Sequence, residues 1–155
     1  MIKEAEALVE ALKKKSLKIC TAESCTGGLI SGAITEVAGA SAVFDGGVCT
    51  YANRIKTALV DVPEKTLDTV GAVSPATAAA MAKGARALFK ADISVSVTGI
   101  AGPDGGTPKK PVGTVYIAAA TAEGVLVRRY NFSGDRATIR AKTVSAALRL
   151  ALMCV

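Results

Sequence analysis

The 155-residue chain contains no histidine and no tryptophan. The absence of imidazole excludes the serine–histidine and cysteine–histidine pairs. Any nucleophile must be activated by another base, and lysine leads because burial or a neighbouring cation lowers its pKa. Aromatic residues make up only 4% of the chain, too few for a platform on which single-stranded nucleic acid would stack. The four cysteines (Cys20, Cys25, Cys49 and Cys154) form no Cys-x-x-Cys pair and have no histidine co-ligand, which argues against a zinc site. Reduced thiols in a cytoplasmic protein are the expectation. No apolar run approaches the roughly 18 residues of a membrane span. The N-terminal Met-Ile-Lys-Glu-Ala-Glu-Ala lacks the basic start and apolar centre of a signal peptide.

The formal net charge of +6 raises the question of nucleic-acid binding, but the basic residues are scattered apart from Lys13-Lys14-Lys15 and Arg128-Arg129. The lysine run falls at the end of an expected helix, where cations complement the dipole, and reads as solvated. Neither nucleic acid nor membrane is an expected partner. A basic surface suits a phosphorylated small substrate. The 50% hydrophobic and 21% charged composition is that of a globular chain, and the length suits a single domain over 1–155 with one sizeable core.

Hydrophobic spacing predicts the elements. Ile2, Ala5, Leu8, Val9 and Leu12 share a helical face, and a short strand follows over 17–21. Leu29, Ile30, Ala33, Ile34 and Val37 make one face of a helix over 26–37, with Gly39 as its stop. Residues 41–51 read as a strand bent or bulged at Gly46-Gly47. Asn53 is placed as the cap of a short helix to Leu59, and Val62-Pro63-Glu64 opens another helical turn. Ser74-Pro75 starts a helix to about Phe89. Ile93, Val95 and Val97 alternate in a strand over 92–98, followed by a loop dense in Gly, Pro and Lys. Strands over 112–121 and 125–132 are joined by Glu123-Gly124, and Asp135 starts a final helix to about Leu152. Helices flank strands throughout, so the fold class is α/β: a three-layer α/β/α sandwich around a mixed sheet. A stripe such as Ala76, Ala79, Ala80 and Lys83 could pack against a twin or against its own sheet, and a homo-oligomer is expected.

Four segments could carry chemistry. Thr21 to Gly28 joins a strand to a helix and places Glu23, Ser24, Cys25, Thr26, Gly27 and Gly28 in one tight turn. Ser24 stands where a sheet edge exposes a side chain and where helix-start amides could bind an oxyanion or phosphate. Ser24 or Thr26 could equally be an ordinary cap. Glu23 is either a surface carboxylate or an orienting acceptor. Cys25 is a rival nucleophile, since a helix start stabilises thiolates, but its simpler reading is a small buried thiol. Tyr51 and Lys56 follow a strand and enter a helix; a lysine with lowered pKa can serve as a base for serine, and Lys56 could equally be an ordinary solvated helix lysine. Thr98 to Gly106, including Gly99 and Gly102, is a strand-end glycine loop without the P-loop or dinucleotide pattern. Arg136 and Arg140, four apart, share a helix face and could hold a phosphate or make surface ion pairs.

Taken together, these segments resemble the C-terminal domain family of the competence/damage-inducible protein CinA. The resemblance rests on Thr21 to Gly28, Val48 to Asn53 with Lys56, Gly71 to Ser74, Thr98 to Pro103, Lys110 to Val115 and Phe132 to Arg136. It covers nearly the whole chain in order. It implies nicotinamide-nucleotide amidohydrolase activity, converting nicotinamide mononucleotide to nicotinate mononucleotide and ammonia. It also implies Ser24 as nucleophile and Lys56 as base with Tyr51 nearby, and no metal or cofactor. Arg54 departs from the acid expected at its position, and could change either the substrate contacts or the pKa of Lys56, which a nearby cation lowers.

Overall fold

Two features of the sequence build the sheet: alternation in its central strands and a hydroxyl row along one of them. The computed structural model describes residues 2–155 apart from the Ile2 side chain, so the expected place of Ile2 on the first helix face lies outside the described residues. The strands are β1 (Ile19–Glu23), β2 (Phe44–Cys49), β3 (Ile93–Gly99), β4 (Thr114–Thr121) and β5 (Gly124–Asn131). They form one sheet in the order β2-β1-β3-β4-β5. β1 runs parallel to both β2 and β3, and β3-β4 and β4-β5 are antiparallel, so the sheet is mixed. The helices are α1 (Ile2–Lys15), α2 (Leu29–Thr35), α3 (Asn53–Val60), α4 (Glu64–Thr69), α5 (Pro75–Phe89) and α6 (Arg136–Leu152).

Helices α1, α2 and α6 cover one face and α3, α4 and α5 the other, giving the three layers. On β4, Val115, Ile117 and Ala119 enter the first core, while Tyr116, Ala118 and Ala120 enter the second beneath α5. β3 sends Ile93, Val95 and Val97 to the first core. Its other face carries Ser94 and Ser96, whose hydroxyls donate to the α5 carbonyls of Ala82 at 2.6 Å and Ala78 at 2.7 Å. Small alanines on α5 allow that approach, and each buried hydroxyl finds an acceptor.

Several boundaries differ from the sequence reading. The expected strand over 41–51 shortens to β2, because residues 40–42 form a 3₁₀ turn. The irregularity in β2 is real and falls at Asp45, where the pairing with β1 jumps from Phe44 to Gly46. Gly47 has no room for a side chain, since a Cβ there would lie 2.1 Å from Thr21 Oγ1. Asn53 is the first residue of α3 rather than its cap; Ala52 takes the cap position without a side-chain bond. Ser74 and Asp135 do cap α5 and α6, accepting from Thr77 N and Thr138 N.

The connectivity fixes where a site can form. The chain leaves β1 for its neighbour on one side, β2, and later returns to its neighbour on the other, β3. The carboxyl ends of these three parallel strands therefore diverge at a switch point, where such sheets open a crevice. Ser24, Thr50-Tyr51 and Ile100 to Gly102 are the residues that follow them.

Candidate active site

The turn after β1 is built around Glu23. Its side chain is fully buried and accepts from five donors. Oε2 receives Thr26 Oγ1 at 2.6 Å, Gly28 N at 3.0 Å and Ile30 N at 3.1 Å. Oε1 receives Ser31 N at 2.8 Å and Ser31 Oγ at 2.9 Å. This carboxylate caps α2, which corrects two expectations. The helix begins at Leu29 rather than 26, because Gly27 and Gly28 take the left-handed conformation at φ 60° and 101°. Neither Ser24 nor Thr26 acts as the cap, and the helix-start amides point at Glu23 instead of outward.

The turn's remaining amides are thereby sorted. Ser24 N donates to Val97 O and Gly27 N to Ser24 O. Among the described residues, no carbonyl or carboxylate accepts from the amides of Cys25 and Thr26. These two amides belong to the residues that directly follow Ser24.

Lys56 approaches from the other side. It lies one turn into α3 and is only 1% exposed, with Val60 buried beside it. Its Nζ donates to Thr50 O and Tyr51 O, both at 2.9 Å, and lies 3.2 Å from Ser24 Oγ. Among the described residues no carboxylate lies within ion-pair distance of it. Burial lowers its pKa from the ordinary 10.5. The expected contribution of Arg54 is not among the causes: Arg54 is exposed to solvent, so desolvation rather than a neighbouring cation produces the shift. Cys25 acts in the raising direction, but burial pushes its own thiol up to about 11, so it is uncharged near neutrality. That also removes the expected thiolate stabilisation at the helix start: desolvation outweighs the turn's donors, and Cys25 is a poor nucleophile. Next to the pair, Thr50 Oγ1 is buried without a hydrogen-bond partner among the described residues.

A pocket of about 270 Å³ opens over the pair. Ser24, Cys25, Tyr51, Lys56, Thr98, Gly99, Gly102 and Arg136 line it. Glu23, Thr26, Gly27, Gly28 and Arg140 do not. Arg140 instead donates through Nε to Cys25 O and through Nη2 to Thr26 O, both at 3.0 Å, and so braces the turn from behind. Arg136 stands at the mouth. Its Nη1 donates to Gly102 O at 2.8 Å and its Nη2 reaches Tyr51 OH at 3.4 Å. Tyr51 is thus split: its carbonyl orients Lys56, while its ring is 64% exposed beside Arg136. The Thr98 hydroxyl is committed to Ala72 O at 2.8 Å and holds the 72–73 segment as a pocket wall.

Sequence reasoning did not single out Asn53, Ala72 or Val73 as lining residues. Asn53 lies three residues before Lys56 on the same helix, and that spacing was a usable signal. Nothing in the local sequence of Ala72-Val73 indicates their place, which depends on the contact with β3. Among the described residues, no group of three or more His, Cys, Asp or Glu side chains is placed to hold a metal ion. No helix among them is long and apolar enough to cross a membrane.

The fold and the pair together define a three-layer α/β protein with a buried serine–lysine pair at a sheet switch point. It belongs to the CinA C-terminal domain family, whose sequence profile matches residues 2–155. A CinA-like protein of Geotalea uraniireducens is 52% identical over 136 residues, covering 88% of this chain and 32% of the relative. A CinA-like protein of Geobacter sulfurreducens is 51% identical over 142 residues, covering 92% of this chain and 34% of the relative. The chain thus spans about a third of the length of these curated relatives. Among solved structures, the competence/damage inducible protein CihA of Agrobacterium tumefaciens superposes with a TM-score of 0.96 at 44% identity, covering 98% of this chain and 93% of that one. A CinA superfamily protein of Escherichia coli superposes with a TM-score of 0.96 at 33% identity, covering 100% and 91%.

Proposed function

We propose that this chain is an amidohydrolase that cleaves the carboxamide of nicotinamide mononucleotide, releasing ammonia and nicotinate mononucleotide. The observation that carries the reading is the placement of Lys56 Nζ, 3.2 Å from Ser24 Oγ with two backbone carbonyls as its other partners. A neutral amine has two N–H bonds and one lone pair. With both N–H bonds directed at Thr50 O and Tyr51 O, the lone pair faces the serine hydroxyl. Burial without a counter-ion favours that neutral form. The nucleotide itself is suggested by the family resemblance, and Arg136 at the pocket mouth is the group suited to its phosphate.

In this scheme Ser24 Oγ bonds to the carboxamide carbon as its proton passes to Lys56 Nζ. The amides of Cys25 and Thr26 donate to the oxyanion. Collapse breaks the C–N bond, and Lys56 returns the proton to the departing ammonia. Water then attacks the ester, with Lys56 taking its proton and restoring it to Ser24. Tyr51 orients the base through its carbonyl and supports Arg136 through its phenol. Arg140 holds the turn and leaves the phosphate to Arg136.

The test is ammonia release from nicotinamide mononucleotide by the wild type and by Ser24→Ala. The wild type should give ammonia and nicotinate mononucleotide in equal amounts, and the variant should give neither while keeping its melting temperature. Nucleotide binding by the wild type without ammonia release would overturn the enzyme reading in favour of a binding domain.

A further inference from the structure

We infer that Glu23 is a positioning residue that fixes the Ser24 nucleophile by tying the turn that follows it to the start of α2. This rests on the reading of Ser24 as nucleophile. Glu23 is fully buried, and no cation among the described residues lies within ion-pair distance of it. Its two oxygens accept five hydrogen bonds, all from residues 26–31, and have no remaining use as an acceptor for substrate. Ser31 Oγ, which donates to Oε1, is itself 2.7 Å from Thr21 Oγ1, so the network continues back into β1. A buried carboxylate is tolerated only when its lone pairs are met in this way.

The consequence for Ser24 is geometric. Ser24 follows Glu23 directly and is tied to β3 through its own amide, which donates to Val97 O at 3.1 Å. Glu23 ties the following segment to α2. The nucleophile is thus clamped between a strand and a helix, and the only turn amides left for a developing oxyanion are those of Cys25 and Thr26. A glutamine at 23 would keep the shape but set an N–H₂ group against backbone donors, loosening the turn without touching the pocket. Arg136 and Lys56 would stay in place, so the loss should fall on the chemical step and leave binding intact.

The test measures acetylation of Ser24 by p-nitrophenyl acetate, located by mass spectrometry. This readout does not depend on the identity of the natural amide. Glu23→Gln should slow acetylation by about 10²-fold, the scale of a misplaced nucleophile. The pH midpoint of the reaction, set by Lys56, should stay where it is in the wild type. In Glu23→Ala, added formate should restore acetylation in a saturable way that chloride at equal ionic strength does not reproduce. Should Glu23→Gln fail to fold, Ser31→Ala takes its place: it removes one donor and the Thr21 link, and should slow acetylation about tenfold, the worth of one hydrogen bond to a charged acceptor. A folded Glu23→Gln, or in its absence Ser31→Ala, that acetylates at the wild-type rate overturns the inference. So does a shifted pH midpoint, which would make Glu23 part of the proton transfer, or a wild type that is not acetylated at all. Wild-type acetylation without nicotinamide mononucleotide turnover would refute the substrate reading alone.

Discussion

Replacing Gly84 by alanine sets local propensity against tertiary packing. Gly84 lies within α5, where alanine is intrinsically favoured by about 1 kcal/mol. Yet a Cβ at this position would lie 1.8 Å from Val60 O and 2.4 Å from Val60 C, both backbone atoms at the end of α3. Backbone cannot rotate aside, so α3 and α5 must separate by about 1.6 Å to reach an ordinary 3.4 Å contact. Overpacking of that kind costs about 1–3 kcal/mol, and the need to move a helix places it at the upper end. The net expectation is a loss of about 2 kcal/mol, or roughly 4–8 °C in melting temperature for a chain of this length. Lys56 lies one turn before Val60 on the same helix, so its amine moves away from Ser24, and a displacement near 1 Å can cost about 10²-fold in rate. Urea denaturation gives the first quantity and Ser24 acetylation by an activated ester the second. A Gly84→Ala protein more stable than wild type by the propensity difference would refute the close α3–α5 contact and, with it, this account of how Lys56 is held.

The remaining predictions concern the pocket. Lys56→Met should lower the rate of ammonia release by about 10²–10⁴-fold, the usual worth of a general base. In the wild type that rate should rise with pH through the lowered Lys56 pKa, a dependence the variant lacks. The same shift bears on stability: between the folded-state pKa of Lys56 and 10.5 the unfolded chain binds the extra proton, so wild-type stability should gain up to about 1.4 kcal/mol per pH unit relative to Lys56→Met in paired urea titrations. Thr50→Val replaces a buried hydroxyl that has no partner, and should raise stability by about 1 kcal/mol in the same denaturation assay. Arg136→Met should raise KM for nicotinamide mononucleotide about tenfold or more while leaving the slow turnover of the unphosphorylated nucleoside unchanged, as a steady-state comparison of the two substrates would reveal.

Much of the fold was legible because its signals are local. Ile93, Val95 and Val97 alternate, Ser74-Pro75 opens a helix, and a hairpin turn falls one residue before the expected Glu123-Gly124, at Ala122-Glu123, with Gly124 already paired to Thr121 as the first residue of β5; each depends on residues adjacent in the chain. The absence of histidine pointed to a lysine base in general, while the particular pairing of Ser24 with Lys56 came from the family resemblance. Less legible was everything set by contacts between elements. Gly84 looks like a weak point in a helix until Val60 is seen against it. Arg136 and Arg140 look equivalent by spacing, yet one stands at the pocket mouth and the other is spent on the carbonyls of Cys25 and Thr26. Cys25 at a helix start suggests a reactive thiol, but burial reverses the sign of that expectation. Ala72 and Val73 reach the pocket through contacts between elements, among them the Thr98 hydroxyl on Ala72 O and the Ser74 and Thr77 hydroxyls on Gly71 O.

The proposed mechanism asks Lys56 to act as a base in a site that also contains an acidic residue. Were Glu23 and Lys56 paired, the carboxylate would favour the ammonium form and the lone pair would be lost. The fold keeps them apart by sending them into different layers. Glu23 turns toward α2, where backbone and hydroxyl donors from 26–31 use its acceptor capacity. Lys56 comes from α3 on the opposite face, where, among the described residues, its amine bonds to two carbonyls and the serine hydroxyl. Glu23 is accordingly absent from the causes of the Lys56 shift, in which desolvation leads. Ser24, at the end of the strand between those layers, therefore has the Glu23 carboxylate network on one side and the buried Lys56 amine, its pKa lowered by desolvation, on the other. Parallel β1 makes this possible: it is flanked by β2 and β3, buries both of its faces, and releases the chain at the one point where the two layers can be reached from a single residue.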